Sequence, residues 1–425
     1  MSGRGEPPCT ASGWPTVSAE QAIAFRLGRQ HLLSRVGGAS LERVLGEING
    51  AQAQLLPAAR LALWSRVREL DPAEIDRRLW RRRSLLRAWC MRRTLHLLPA
   101  RDGAIYGRGS ARRSEKEIRW MLHHGATRPR LEADIGTLLD LLDRPRTRTG
   151  LAEALGRRLG TRPTDRIGGA GWGNAQRIPW LQFGGVPVPI AYAIHLAGAR
   201  GVICLGAAER GEADYVRADA WSRSWREMPQ ADAERELLLR YLRSFGPATQ
   251  HDFATWTGMT LGDAKEVWRT AGDRVVPVAC AGAPAWILRR DRDELTTATL
   301  GDRPSVRLLP HFDAYLLGHR DHANVVAREH RHRVYRPQGW VSPVVLLDGR
   351  VAGVWEANPK GRVLRVRVEP FVRLPRAAEP LLRNESLALG TFLGYRESVL
   401  RIERTGGPRP RRASSGVGLA PSEPG

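Results

Sequence analysis

The chain has 425 residues, too many for one compact core, and 42% are hydrophobic, so we expect two to four folded domains. Lysine and arginine outnumber aspartate and glutamate by 67 to 44, a net charge of +23 that indicates a polyanionic partner such as nucleic acid; a merely solvated basic surface is the alternative. Four scattered cysteines argue against a zinc site and a disulfide framework. Without a long apolar run or a signal-peptide core, the sequence predicts a cytoplasmic protein.

The first distinctive motif is Gln52-Ala53-Gln54, which lies just before a helix that is predicted to begin near Pro57. If this stretch is extended, the two glutamines point the same way and Ala53 points to the opposite face. The two amides can then serve one site. Alternatively they only cap or hydrogen-bond the loop ahead of the helix, as polar residues there commonly do.

A basic segment follows the motif. Asp71 and Pro72 predict a helix start, and residues 85–91 and 93–99 read as two short strands. Arginine interleaved with tryptophan is typical of nucleic-acid surfaces, although the tryptophans can equally lie in a core. The predicted DNA-binding residues are Arg81, Arg82, Arg83, Arg92 and Arg93.

The middle of the chain predicts helices followed by a pair of strands. A helix at 231–246, a short helix and a turn within 248–259, a third helix that Thr260 begins, and strands at 274–280 and 284–290 follow one another. This order is typical of a winged helix, in which the second member of the helix-turn-helix normally enters the DNA groove. A weaker copy of the order spans 131–205.

The C-terminal third predicts strands. Residues 342–371 contain three strand-like runs with turns at Asp348-Gly349 and at 358–361, and Asp-Gly between alternating apolar runs is a strong hairpin signal. In the last run, apolar residues alternate with arginines, which gives one dry and one basic face. We therefore expect a small antiparallel sheet or barrel.

Histidines and aspartates are the remaining candidates for chemistry. Those within 308–322 could bind a metal, but their spacing matches no compact ligand pattern, and a buried polar knot that joins two domains is the alternative. His96 could be catalytic or a hydrogen-bonded structural residue. No GxSxG, Walker or dinucleotide signature is present, so no cofactor or metal is predicted. The residues that could support a site are Thr94, His96, His311, Asp313, His319 and Asp321.

Three segments carry a family resemblance. GAQAQLLPAARLALWSR (50–66), MRRTLHLLPARD (91–102) and LLPHFDAYLLGHRDH (308–322), the last followed by LLDGRVAGVW, occur in this order. They resemble the winged-helix DNA glycosylases that include the azinomycin-resistance glycosylase AlkZ and the YcaQ/AlkX crosslink-repair glycosylases, over most of residues 17–400. One departure is His322, where that family leads us to expect Arg, so the role of this position is open.

The resemblance implies an α+β fold with tandem winged-helix (helix-turn-helix) domains and a C-terminal antiparallel β-barrel. The implied division is 17–105 (first winged-helix region, with the Gln-Ala-Gln motif), 106–228 (second), 229–299 (third), 300–400 (barrel) and 401–425 (disordered tail). The resemblance also implies excision of N7-alkylated guanine, including guanine in interstrand crosslinks. Its Gln–apolar–Gln or Gln–apolar–Asp motif makes Gln52 and Gln54 the predicted catalytic residues.

This chemistry suits a glutamine. Alkylation at N7 places a positive charge on guanine, so the base leaves without a strong acid to protonate it. What remains is to stabilise a sugar with oxocarbenium character and to place a water at C1′. A neutral amide can do both modestly, through an aimed dipole and a hydrogen bond. Such an enzyme should favour cationic lesions over uncharged ones.

Two other classes of function stay open at this stage. A non-catalytic winged-helix transcription regulator would bind a specific sequence without releasing a base. An enzyme that uses the histidines and aspartates of 308–322 would hold stoichiometric metal. For the glycosylase we expect a cytoplasmic monomer that acts on double-stranded DNA carrying alkylated guanine, without a membrane.

Overall fold

The computed structural model describes residues 13–37, 40–168, 176–200, 203–207, 213–302 and 304–403. Its α-helices are α1 (Ala19–Arg29), α2 (Leu41–Glu47), α3 (Leu56–Trp64), α4 (Pro72–Asp76), α5 (Gly103–Gly109), α6 (Glu115–His123), α7 (Arg128–Asp140), α8 (Arg148–Arg158), α9 (Ile190–Gly198), α10 (Ala218–Trp221), α11 (Gln230–Phe245), α12 (Gln250–Thr257), α13 (Leu261–Arg269), α14 (Arg292–Thr297), α15 (Ala314–Leu317), α16 (Arg331–Val334) and α17 (Ala378–Phe392). The strands are β1 (Thr16–Val17), β2 (Ala51–Gln52), β3 (Leu85–Trp89), β4 (Leu95–Pro99), β5 (Thr164–Gly168), β6 (Gln176–Phe183), β7 (Val186–Pro189), β8 (Ile203–Leu205), β9 (Tyr215–Arg217), β10 (Val275–Cys280), β11 (Ala283–Leu288), β12 (Val306–Leu309), β13 (Val344–Leu347), β14 (Arg350–Lys360), β15 (Val363–Pro370) and β16 (Glu397–Ile402).

The fold is a mixture of helices and separate sheets. In the described residues the sheet orders are β2-β4-β3-β8-β9, β1-β10-β11, β5-β6-β7 and β12-β13-β14-β15-β16. None of these sheets closes into a barrel. The first of them matters most for function, since β2 carries the Gln-Ala-Gln motif to its edge.

Local sequence signals set the neighbourhood of that sheet. The predicted strand pair is confirmed as β3 and β4, which run antiparallel. Asp71 caps α4 by accepting a hydrogen bond from the Ala73 amide, and Pro72 occupies the first turn, as predicted. The tight connection between β3 and β4 places Arg92 and Arg93 at φ values of 53° and 58°. The tip of this hairpin, residues 91–94, is therefore held in an unusual backbone conformation.

The predicted order in the middle of the chain is also present. Helices α11, α12 and α13 precede the antiparallel pair β10–β11, and β1 adds to β10 in parallel. Thr260 begins α13 as predicted, because its hydroxyl accepts from the Asp263 amide. In the weaker copy, residues 131–205, the helices α7 and α8 are present, while residues 169–175, 201 and 202 lie outside the described residues.

The C-terminal sheet corrects the expectation of an antiparallel barrel. Asp348 and Gly349 have φ values of 48° and 77° and form the predicted turn between β13 and β14. However, β16 follows the crossover helix α17 and pairs with β15 in parallel, so β12 and β16 lie at opposite edges of an open sheet. Helix α17 packs against both edge strands, β12 and β16.

Two remaining expectations concern membranes and the chain end. Within the described ranges, no helix is both long enough and apolar enough to cross a bilayer. The tail was expected from residue 401, but β16 reaches Ile402, and residues 404–425 lie outside the described residues.

Candidate active site

The Gln-Ala-Gln motif is extended and lies against β4. Gln52 is the register partner of His96, and the Ala53 amide donates to the Leu95 carbonyl at 2.7 Å. Ala53 is completely buried, whereas Gln54 is half-buried. The predicted extended conformation is confirmed for Ala51 and Gln52, and Ala53 is in the core as predicted, but Gln52 is buried beside it.

Each glutamine side chain is oriented by a different donor on the β3–β4 hairpin. The Oε1 atom of Gln54 accepts from the Leu95 backbone amide at 3.0 Å. The Oε1 atom of Gln52 accepts from Nη2 of Arg92 at 3.5 Å. Each amide oxygen keeps a second lone pair, and each NH₂ group remains a donor, so both side chains can still bind other groups.

The backbone of the motif is held as well. Arg87 on β3 donates from Nε to the Ala53 carbonyl at 3.0 Å and from Nη2 to the Gln54 carbonyl at 3.4 Å. Burial lowers the pKa of Arg87, although arginine keeps its charge at neutral pH. This arginine therefore fixes the chain that carries the two glutamines.

Arg92 turns inward at the tip of the hairpin. Its Nη1 donates to the Trp256 carbonyl of α12 at 2.5 Å, and burial lowers its pKa to about 10. Gly258, in the left-handed conformation at the end of α12, lies so close that an added Cβ would be 3.2 Å from the Arg92 Cα. The hairpin tip is thus seated on α12.

The other predicted DNA-binding arginines are placed differently. Arg81, Arg82 and Arg83 are exposed, and the guanidinium carbon of Arg83 lies 4.0 Å from the ring centroid of Trp221. Arg93 is exposed and pairs with Glu117 at 2.7 Å. These four side chains can reach a partner in solvent, while Arg92 serves the interior of the site.

The predicted supporting residues of the first segment lie at the site. The Thr94 hydroxyl donates to the Met91 carbonyl at 3.1 Å, inside the hairpin tip. His96 is 3% exposed and donates from Nδ1 to the Thr94 carbonyl at 3.0 Å. Burial, reinforced by the charge of Arg92, lowers the pKa of His96 to about 3, so this ring is neutral at physiological pH.

The predicted residues of 308–322 find other partners. Both side chains of the Asp313–Arg66 ion pair are fully buried, and their two hydrogen bonds measure 2.7 and 2.8 Å. His311 donates from Nδ1 to the Val341 carbonyl, His319 is buried against Phe245, and the exposed Asp321 accepts from the Ala323 amide. In the described part of the chain, no three histidine, cysteine or acidic side chains form a group that could hold a metal. Asp313 thus supports the interpretation of a buried polar knot.

His322, the departure from the family pattern, packs as an aromatic ring. It stacks on Tyr335 with the ring centroids 4.0 Å apart, and burial lowers its pKa to about 4. An arginine at this position could also stack on the tyrosine, but it would keep a charge that this histidine has lost.

Helix α13, the predicted DNA-reading helix, is linked to its neighbours through Arg112. Arg112 donates to Glu266 on α13 at 2.5 Å and to Glu234 on α11 at 2.8 Å, and it lies 3.5 Å from Asp263. Arg112 thus links one side of α13 to α11 through paired carboxylates. Entry of this helix into a DNA groove stays a prediction.

Sequence reasoning missed Arg87, Trp256 and Gly258. A signal was present for Arg87, because an arginine interrupts the apolar run of β3 and must find acceptors when it is half-buried. Trp256 acts through its backbone carbonyl and Gly258 through the lack of a side chain. Neither contact leaves a local pattern in the sequence.

Comparisons with known proteins identify the family of the chain. The model of the family described as "DNA glycosylase AlkZ-like" matches residues 45–392, which include both glutamines. The chain is 31% identical over 397 residues to an "Interstrand DNA cross-link repair glycosylase" of Streptomyces sahachiroi, covering 91% of this chain and 99% of that protein. It also superposes on the solved Streptomyces sahachiroi DNA glycosylase AlkZ with a TM-score of 0.75 at 27% identity, covering 91% of this chain and all of the other. The chain therefore belongs to the AlkZ-like family of DNA glycosylases.

Proposed function

We propose that this DNA glycosylase excises N7-alkylated, cationic guanine from double-stranded DNA by hydrolysis of the N-glycosidic bond, and that its substrates include guanine in interstrand crosslinks. The name of the Streptomyces sahachiroi relative, a crosslink-repair glycosylase, supports the second part. We further propose that residues 17–105, 106–228 and 229–299 act as three winged-helix regions of a monomer.

One observation carries the proposal: two neighbouring amides are held in fixed orientations by donors of the same β3–β4 hairpin. Gln52 and Gln54 are fixed by Arg92 and the Leu95 amide, and their backbone is fixed by Arg87. Dipoles that are oriented before the reaction need no reorganisation when charge develops on the sugar. The second lone pair of each oxygen can accept from a water placed at C1′.

The electrostatics of the nearby histidine fit a cationic leaving group. A base that already carries a positive charge departs without protonation, whereas an uncharged purine needs an acid. His96, the histidine that pairs in register with Gln52, has a pKa of about 3 and cannot donate a proton at neutral pH as an imidazolium. The site is therefore suited to alkylated guanine and poorly suited to normal bases.

The DNA surface is proposed at the exposed arginines near the two ends of the β3–β4 hairpin. Arg81, Arg82 and Arg83 lead into β3, and Arg93 lies at the hairpin tip next to Arg92. Arginine forks suit phosphate oxygens, and the net charge of +23 favours attraction to DNA over the whole molecule.

The test is base release from a duplex that carries N7-methylguanine, without added metal or nucleotide. We expect free N7-methylguanine and an intact abasic strand, together with no release of unmodified guanine. Unchanged substrate after long incubation with excess enzyme, across several N7 adducts, would overturn the proposed substrate class. Strand cleavage with a borohydride-trapped protein adduct would overturn the simple hydrolysis.

A further inference from the structure

We infer that Arg92 is a positioning residue that sets the orientation of the Gln52 amide and anchors it to helix α12, rather than a contact to DNA. The inference rests on the proposed role of the glutamines. It gives Arg92 a different task from the neighbouring Arg93, which is exposed to solvent and pairs with Glu117.

The first step of the argument is the direction of the side chain. Arg92 donates from Nη1 to the Trp256 carbonyl at 2.5 Å and from Nη2 to Gln52 Oε1 at 3.5 Å. The planar fork of arginine can bridge two acceptors in fixed directions, which a lysine ammonium does less well. Both acceptors lie within the protein, and so these two contacts direct the guanidinium away from a phosphate in solvent.

The second step is the anchor. The Trp256 side chain is 3% exposed, and its ring packs against Tyr241, Phe245 and Phe253, with the Tyr241 ring centroid 5.0 Å away. Close packing makes this carbonyl a rigid reference point. The guanidinium therefore connects Gln52 to the aromatic core of α11 and α12.

The third step is the backbone fit. Arg92 has a φ of 53°, which costs energy for a residue with a side chain, and so the surrounding contacts must hold it there. Gly258 supplies such a contact, since an added Cβ would lie 3.2 and 3.4 Å from Cα and N of Arg92. A side chain at position 258 would therefore press on the Arg92 backbone and shift the hairpin tip relative to the end of α12.

The test is a double-mutant cycle in the full-length protein, read as single-turnover release of N7-methylguanine at saturating DNA. Arg92→Ala should lower the rate about 10²-fold, because a misplacement of about 1 Å has this size of effect. In a Gln52→Ala background, Arg92→Ala should cause little further loss, since Arg92 acts through Gln52. Arg92→Lys should recover part of the rate at most.

DNA binding separates this role from a phosphate contact. Removal of a phosphate contact reduces the salt slope of binding by about 0.9, whereas removal of a positioning residue leaves the slope unchanged. A reduced slope for Arg92→Ala, or losses that add fully to those of Gln52→Ala, would overturn the inference. If Gln52→Ala itself excises at the parental rate, the proposed catalytic role of Gln52 fails instead.

A glycine pair provides a test that does not remove the arginine. Gly258→Ala should lower the excision rate, because it pushes on the Arg92 backbone. Gly272→Ala is the matched control: Gly272 also has a positive φ, at 57°, near the end of the neighbouring helix α13, but a Cβ there would meet nothing within 4 Å. Equal rates per folded molecule for the two variants would contradict the proposed fit.

Discussion

Gln54→Ala tests the proposed chemistry most directly. The substitution removes an amide that the Leu95 N–H holds at 3.0 Å, and thereby both an aimed dipole and a contact for water. Loss of one such stabilising group commonly lowers the rate about 10²–10³-fold, which corresponds to about 2.7–4 kcal/mol of activation free energy. Gln52→Ala should also impair excision.

The expected cost in stability is much smaller. One hydrogen bond contributes about 0.5–1.5 kcal/mol, and Gln54 is half-buried, so water can replace its oxygen at Leu95. Single-turnover base release and thermal unfolding should be measured on the same preparations. Gln30→Ala is the matched control, because Gln30 is a fully buried glutamine that accepts from Arg66 at 3.3 Å, and its loss should lower stability without lowering the rate per folded molecule.

The opposite pattern would refute the reasoning. If Gln54 only caps the loop ahead of α3, Gln54→Ala will lower the melting temperature and leave excision by the folded fraction at the parental rate. The catalytic interpretation would then be wrong for this residue, even though the protein is a glycosylase.

Three further predictions concern stability and DNA binding. Asp313→Ala should destabilise the fold by about 3–5 kcal/mol in urea denaturation, because it leaves the buried Arg66 without its ion-pair partner. Asp321→Ala, at an exposed site, should destabilise it by less than about 1 kcal/mol. Equal losses of stability would contradict the buried pair. Below about pH 6.5 the unfolded chain protonates histidines that stay neutral in the fold. As the pH is lowered, the free energy of unfolding should therefore decrease by up to about 1.4 kcal/mol per pH unit for each such histidine. His322, with a pKa of about 4, is one of these, and His322→Phe should make the fall shallower; an unchanged slope would speak against its burial as a neutral ring. Arg81→Ala should reduce the salt slope of DNA binding by about 0.9 relative to Arg383→Ala on α17, and identical slopes would remove Arg81 from the DNA surface.

Local signals account for what the sequence could predict. The β3–β4 strands, the turn at Asp348-Gly349 and the Thr260 cap each depend on residues within a few positions of one another. The Gln-Ala-Gln motif was found in the same way, from alternation ahead of a helix and from the family resemblance. Contacts between residues a few positions apart can be predicted from sequence patterns, because the chain itself brings such residues together.

The parts that could not be predicted are long-range. Arg66 and Asp313 are 247 positions apart in the sequence, and Arg92 and Trp256 are 164 positions apart. Neither contact can therefore be predicted from a local spacing of residues. The parallel β15–β16 pair depends on how α17 crosses the sheet, and a hydrophobic alternation does not reveal strand direction. For the same reason an arginine-rich stretch did not show that Arg92 faces inward while Arg81 faces solvent.

The two glutamines should differ in their tolerance of a negative charge, and the structure gives the reason. The partner of Gln54 is a neutral backbone N–H, which can donate to a carboxylate as well as to an amide. The partner of Gln52 is the Arg92 guanidinium, so a carboxylate at 52 would form an ion pair and be held on Arg92 instead of facing the reacting sugar. The asymmetry therefore predicts that a carboxylate is tolerated at position 54 and not at position 52.

The asymmetry leads to a paired experiment. Gln54→Asp should retain most base release, because no cation holds a carboxylate at this position and a carboxylate holds a water more strongly than an amide. Gln52→Glu should lose most of the rate, about as much as Gln52→Ala, while its thermal stability is kept or raised by the new pair with Arg92. In an Arg92→Ala background the added loss caused by Gln52→Glu should shrink, since the carboxylate then has no cation to hold it. Parental activity of Gln52→Glu beside an intact Arg92 would show that the guanidinium does not control this position.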